Sequence, residues 1–159
     1  MPVVASPASP NVVTKDQVRM FMRDRADKNI LLDTVQFTDD ELNLAMDMAV
    51  SGFNAVTPQS NFTPQTFPSH LKYLLLIGTT RFLLMSESFL QARNQATVQD
   101  GDIAPIGIDD KAQLYAQLSA SLKAEWDELT RGVKTQNNME GAYNSLGSGY
   151  RNTSRFNHS

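Results

Sequence analysis

Two histidines, a handful of clustered acids and one basic run are the residues of this sequence with types suited to chemistry. A nucleophile–base–acid relay needs a histidine or an equivalent base beside a nucleophile. His70 opens an apolar stretch and His158 lies in a polar tail, neither with a partner motif around it. There is no cysteine, so thiol catalysis, disulfides and cysteine metal sites are excluded. The sequence has no G-x-S-x-G, H-E-x-x-H or Walker A run, and Gly147-Ser148-Gly149 is too short to cradle a phosphate. Asp100, Asp102, Asp109 and Asp110 supply oxygen ligands of the kind a divalent cation takes, but their spacing does not match a calcium loop, and they read as solvated loop acids. Asp39, Asp40 and Glu41 are better explained by helix capping than by acid–base work. Arg19, Arg23, Arg25 and Lys28 are a candidate phosphate-binding face, interleaved with Asp24 and Asp27, which makes internal ion pairing the simpler account. No catalytic, cofactor or metal site is expected.

The element that would position all of these is Ser69 to Ala96. Leu71, Leu75, Gly78, Phe82, Met85, Phe89, Ala92 and Ala96 recur at steps of four and three, one face of a helix. Leu74, Ile77, Leu84 and Leu90 widen that stripe, so this helix should meet neighbours on more than one side. Ser69 is the expected N-cap. Gly78, on the apolar face, predicts a close crossing by another helix. The uncharged run Tyr73–Thr80 is far shorter than the roughly 20 residues a bilayer requires, so no membrane span is expected.

Around it the chain predicts three further helices. Thr14-Lys15-Asp16-Gln17 and Thr38-Asp39-Asp40-Glu41 both fit capping boxes. The first opens a helix to about Ala26 with Val18, Phe21 and Met22 inward. The second opens one to about Val56 with Leu42, Ala45, Met46, Ala49 and Phe53 as its stripe. The Pro-rich loop 57–68 carries Phe62 and Phe67, which need burial on this chain or another. Residues 97–110 form a loop or small hairpin. A last helix after Asp109 carries Tyr115, Leu118, Leu122, Trp126, Leu129 and Val133 and should stop at Gly132. The expected fold is all-α: a four-helix bundle (14–133) around one long central helix, with extended arms at 1–13 and 134–159. Leu75, Phe82, Met85, Leu118, Leu122 and Trp126 are expected to share one core.

The two ends differ from the body. Residues 1–133 carry 11 basic and 16 acidic side chains, whereas 134–159 carry three basic and one acidic. A net charge of -3 argues against a general nucleic-acid binder. The first residues lack a basic stretch followed by an apolar run, so no signal peptide is expected and folding in a cytosol is. The tail is rich in Gly, Ser and Asn and cannot build a core. Yet Met139, Tyr143, Leu146, Tyr150 and Phe156 punctuate it, with Arg151 and Arg155 near its end. We read it as an arm that orders on a partner, with Tyr143, Leu146, Tyr150, Arg151, Arg155 and Phe156 as its partner-binding residues.

The run F-T-D-D-E-L-N-L-A-M-D-M-A-V-S-G-F-N (37–54), then a loop, then Y-L-L-L-I-G-T-T-R-F-L-L-M (73–85) resembles the head-to-tail adaptor, or neck, proteins of tailed bacteriophages. The likeness is one of layout over Thr14–Val133. It implies a non-enzymatic virion protein without cofactor, assembled in the host cytoplasm. It further implies a homo-oligomeric ring of about a dozen copies that joins the portal protein to tail or neck proteins and lines a DNA passage without binding DNA specifically. The portal-contacting segment of the family would correspond to Lys134–Ser159. The competing reading is a small helical regulatory or DNA-binding protein using Arg19, Arg23, Arg25 and Lys28.

Overall fold

The computed structural model of the protein describes residues 13–29, 34–98 and 111–153, with side chains as far as residue 94 in the third helix and residue 143 in the fourth. The described residues are all-helical: α1 (Lys15–Met22), α2 (Asp39–Ala55), a 3₁₀ turn (Ser69–Leu71), α3 (Lys72–Val98) and α4 (Lys111–Thr153). Of the hairpin or loop expected at 97–110, residues 97 and 98 instead complete α3; its remainder, with the acids Asp100, Asp102, Asp109 and Asp110, lies outside the described residues, as do residues 1–12 of the N-terminal arm.

Both capping boxes form. The Thr14 hydroxyl accepts from the Gln17 amide at 3.3 Å while the Gln17 side chain accepts from the Thr14 amide at 3.2 Å. Thr38 and Glu41 make the same reciprocal pair at 3.3 and 2.6 Å. Each pair satisfies orphan donors of a helix N-terminus. α1 is shorter than its sequence predicts. Arg23 turns left-handed at φ 61° and ends the helix at Met22, which leaves Val18 buried but Phe21 largely exposed. Ser69 does not cap: no side-chain cap bond forms there, and the 3₁₀ turn feeds directly into α3.

α3 packs against α1, α2 and α4. Ser119 of α4 donates to the Arg81 carbonyl at 3.1 Å, and Tyr73 donates to Glu125 at 2.7 Å. Rising residue numbers on one helix meet falling numbers on the other, so α3 and α4 run antiparallel. Leu74, Leu75, Ile77 and Leu83 of α3 join Leu42, Ala45, Ala49, Val50 and Phe53 of α2, Val13 and Val18, and Trp126 of α4 in one apolar core. Residues 69–94 are long and apolar enough to cross a membrane by length and composition. Part of that surface is buried against the other helices, and Arg81 and Glu87 interrupt it.

The core differs from the expected one at two residues. Leu75 and Trp126 are buried and Phe82 and Leu122 pack against them, but Met85 and Leu118 are exposed. Phe62 and Phe67 find their burial on this chain. Their rings lie 6.1 and 5.2 Å from that of Phe53, and 5.8 Å from each other. Asn54 holds the loop in place, accepting from the Ser60 hydroxyl and the Phe62 amide and donating to the Phe62 carbonyl.

The largest correction concerns the C-terminal side. The arm expected to be extended from Lys134 is helix as far as Thr153. Gly132 does not stop it. Once a helix is nucleated, each further residue adds a hydrogen bond for one residue fixed, and an interior glycine costs only about 1 kcal/mol. An added Cβ at Gly132 would meet nothing within 4 Å. Gly132→Ala is therefore expected to raise stability by about 0.5–1 kcal/mol, measured as a higher urea midpoint with unchanged slope. A drop in midpoint would mean that α4 is not continuous through this residue.

Candidate assembly surface

The end of α4 is built in two parts. At Lys134 it is still attached to the body. The Lys134 ammonium, almost fully buried, donates to the Pro58 carbonyl and the Ser60 hydroxyl, each at 2.8 Å, and lies 4.2 Å from the centre of the Phe53 ring. Burial lowers its pKa from the usual lysine value. Beyond it, every residue from Thr135 to Tyr143 is exposed. Tyr73, one residue into α3, already faces Glu125, so the rest of α4 runs past the N-terminal end of α3. Thr135–Thr153 projects by about 28 Å at 1.5 Å per residue.

This projection carries an apolar stripe. Met139 and Tyr143 are 53% and 68% exposed. Leu146 and Tyr150 continue the same four–three–four register on the helix backbone. Of the six residues expected to bind a partner, Tyr143 stands exposed on α4. Leu146, Tyr150 and Arg151 are helical, with side chains beyond the described ones. Arg155 and Phe156 lie outside the described residues.

Sequence reasoning missed a second apolar surface. Phe37, Leu44, Ala45, Met48, Phe82, Leu83, Met85 and Phe89 line a groove of about 290 Å³ between α2 and α3. Leu44 and Phe89 are 58% and 68% exposed. The only hint in the sequence was surplus: α3 has more apolar positions than a single packed face uses.

The basic run is spread over several contexts. Arg19 donates to Asp24 at 3.0 Å and to Asp39 at 2.8 Å, and Lys15 donates to Asp39 at 3.1 Å. Arg19 first, and then Lys15, hold the Asp39 carboxyl below its usual pKa. Arg23 occupies the left-handed cap, and Lys28 lies 3.4 Å from Asp27. Arg81 rests over the rings of Phe82 and Trp126 at 4.5 and 4.8 Å, and burial lowers its pKa while Asp127 opposes that shift. His70 is exposed in the 3₁₀ turn. Among the described residues, no three His, Asp or Glu side chains gather as metal ligands would.

No family model, characterised protein or solved structure matches this chain. Its surfaces must therefore be read from their own chemistry: an exposed apolar helix stripe, an exposed apolar groove, and a basic run in which Arg19 and Lys28 are paired with acids.

Proposed function

We propose that the protein is a structural virion component: a ring-forming adaptor that joins the portal to the tail and lines the DNA passage. In this reading α3 is the central helix of a four-helix bundle, and the end of α4 reaches from the bundle to a partner. The single observation that carries it is the projection Thr135–Thr153, a helix whose described side chains, Thr135 to Tyr143, are all exposed, with Met139 and Tyr143 open to water. An isolated helix of this length is marginal in water unless an apolar face is covered. An acidic body suits a channel through which DNA slides without adhering. The DNA-binding alternative draws on the face of α1, but there Arg19 is already engaged by Asp24 and Asp39.

The test is truncation after Gln136, which keeps Lys134 and its loop contacts. The shortened protein is expected to melt within about 2 °C of the full chain, since nothing beyond it contributes to the described core. Native mass measurement should show that the full chain forms large oligomers, alone or on a portal ring, and that the shortened chain does not. A shortened chain that assembles as well as the full one would remove the arm from assembly.

A further inference from the structure

We propose that the groove between α2 and α3 is the acceptor for the projecting end of α4 from a second copy of this chain. The inference rests on the adaptor reading only in its claim that copies join one another.

The two surfaces match in kind. The donor is a helix with Met139, Tyr143, Leu146 and Tyr150 at steps of four, three and four, the spacing by which an amphipathic helix fills a groove. The acceptor is a cleft rimmed by Leu44, Met48, Met85 and Phe89, all exposed. Such a concentration of open apolar side chains in one cleft marks an interaction site. The charges match as well. α2 carries Asp39, Asp40, Glu41 and Asp47 and no basic residue, with Asp40 and Asp47 exposed along its length. Toward its far end the donor carries Arg151.

The donor cannot fill the groove of its own chain. From the Tyr73–Glu125 contact, α3 runs 16 residues to Phe89 in one direction while α4 runs 18 residues to Tyr143 in the other. At 1.5 Å per residue the two side chains lie roughly 50 Å apart along the common axis. Donor and acceptor at opposite ends of one chain make a head-to-tail contact, which closes into a ring or continues as a filament.

The natural absence of cysteine gives a clean test with the full chain. Leu44→Cys and Tyr143→Cys are made separately; both sites are exposed, so neither change opens the core. The two proteins are mixed and treated with a short bis-maleimide. A cross-linked pair is expected from the mixture and not from either variant alone, and Met139→Glu with Tyr143→Glu should shift native mass to the monomer. Oligomers without that cross-link would overturn the groove as acceptor while leaving ring formation standing. Monomers without it would overturn both. Cross-linking of Tyr143→Cys with itself would mean that the helices pair with each other. An intrachain product at high dilution in a chain that carries both Leu44→Cys and Tyr143→Cys would mean that the arm folds back. Either result overturns the proposal.

Discussion

Replacing Trp126 by alanine is expected to cost about 3–5 kcal/mol, the usual range for a large aromatic removed from a packed core. Trp126 is 6% exposed, and its ring lies against both α2 at Gly52 and α3 at Gly78. Its ring occupies a slot that two glycines leave open. A Cβ added at Gly78 of α3 would stand 2.6 Å from the indole nitrogen and 2.9 Å from Cδ1, and one added at Gly52 of α2 would stand 3.3 Å from the far edge of the ring. Gly78→Ala should therefore destabilise by overpacking, by about 1–3 kcal/mol, even though alanine is the better helix former. Combining the two changes should cost less than their sum, because removing the indole makes room for the methyl group. Denaturant midpoints of the four proteins measure this directly. If Trp126→Ala unfolds at nearly the wild-type midpoint, or if the double change is additive, the slot is not closed by this contact.

Asp24→Ala is expected to have an effect of similar size for a different reason. The Asp24 carboxylate is 4% exposed and accepts four hydrogen bonds: from Arg19 at 3.0 Å, Asn29 at 2.8 Å, and the backbone amides of Gln36 and Phe37 at 2.6 and 3.1 Å. It thus ties the end of α1 to the strand of chain that leads into α2, and it fixes the buried Phe37. Removing it leaves donors without a partner in a part-buried place, at about 1–3 kcal/mol for each that water cannot reach, and leaves the Arg19 guanidinium with only its exposed partner Asp39. A total of about 3–5 kcal/mol is expected. Asp24→Asn keeps one acceptor oxygen and should lose less. The check is chemical denaturation of both variants, with amide exchange at Phe37. Fast exchange at Phe37 in the alanine variant and slower exchange in the asparagine variant is the expected order. Equal protection in wild type and Asp24→Ala would mean that the carboxylate does not hold that amide.

The arm shows how helical and extended readings of one stretch differ in consequence. Extended, 26 residues would span on the order of 80–90 Å. As helix to Thr153, the part beyond Lys134 spans about 28 Å but presents one coherent face. That stiff, short reach suits contact with an adjacent copy better than a search for a distant one.

What this sequence determines by itself is local. Thr14 with Gln17 and Thr38 with Glu41 are three residues apart, so their reciprocal bonds depend on nothing beyond the first turn, and both form as read. The three–four stripes of α2 and α3 report which residues can be inside, and Gly78 reports that something passes close. Only the tertiary structure decides what that something is. It also decides which apolar positions are covered: Met85 and Leu118 keep the right spacing but stay exposed, because periodicity fixes a direction around a helix and not the width of what packs there. Asp24 reads in sequence as one acid among basic neighbours; its role as a four-fold acceptor depends on amides 12 and 13 residues away being folded back onto it. The length of α4 was likewise hidden. Gly, Ser and Asn after Gly132 lower helix propensity, but propensity is a weak prior beside a helix already nucleated and pinned at Lys134 by contacts to a loop more than 70 residues earlier.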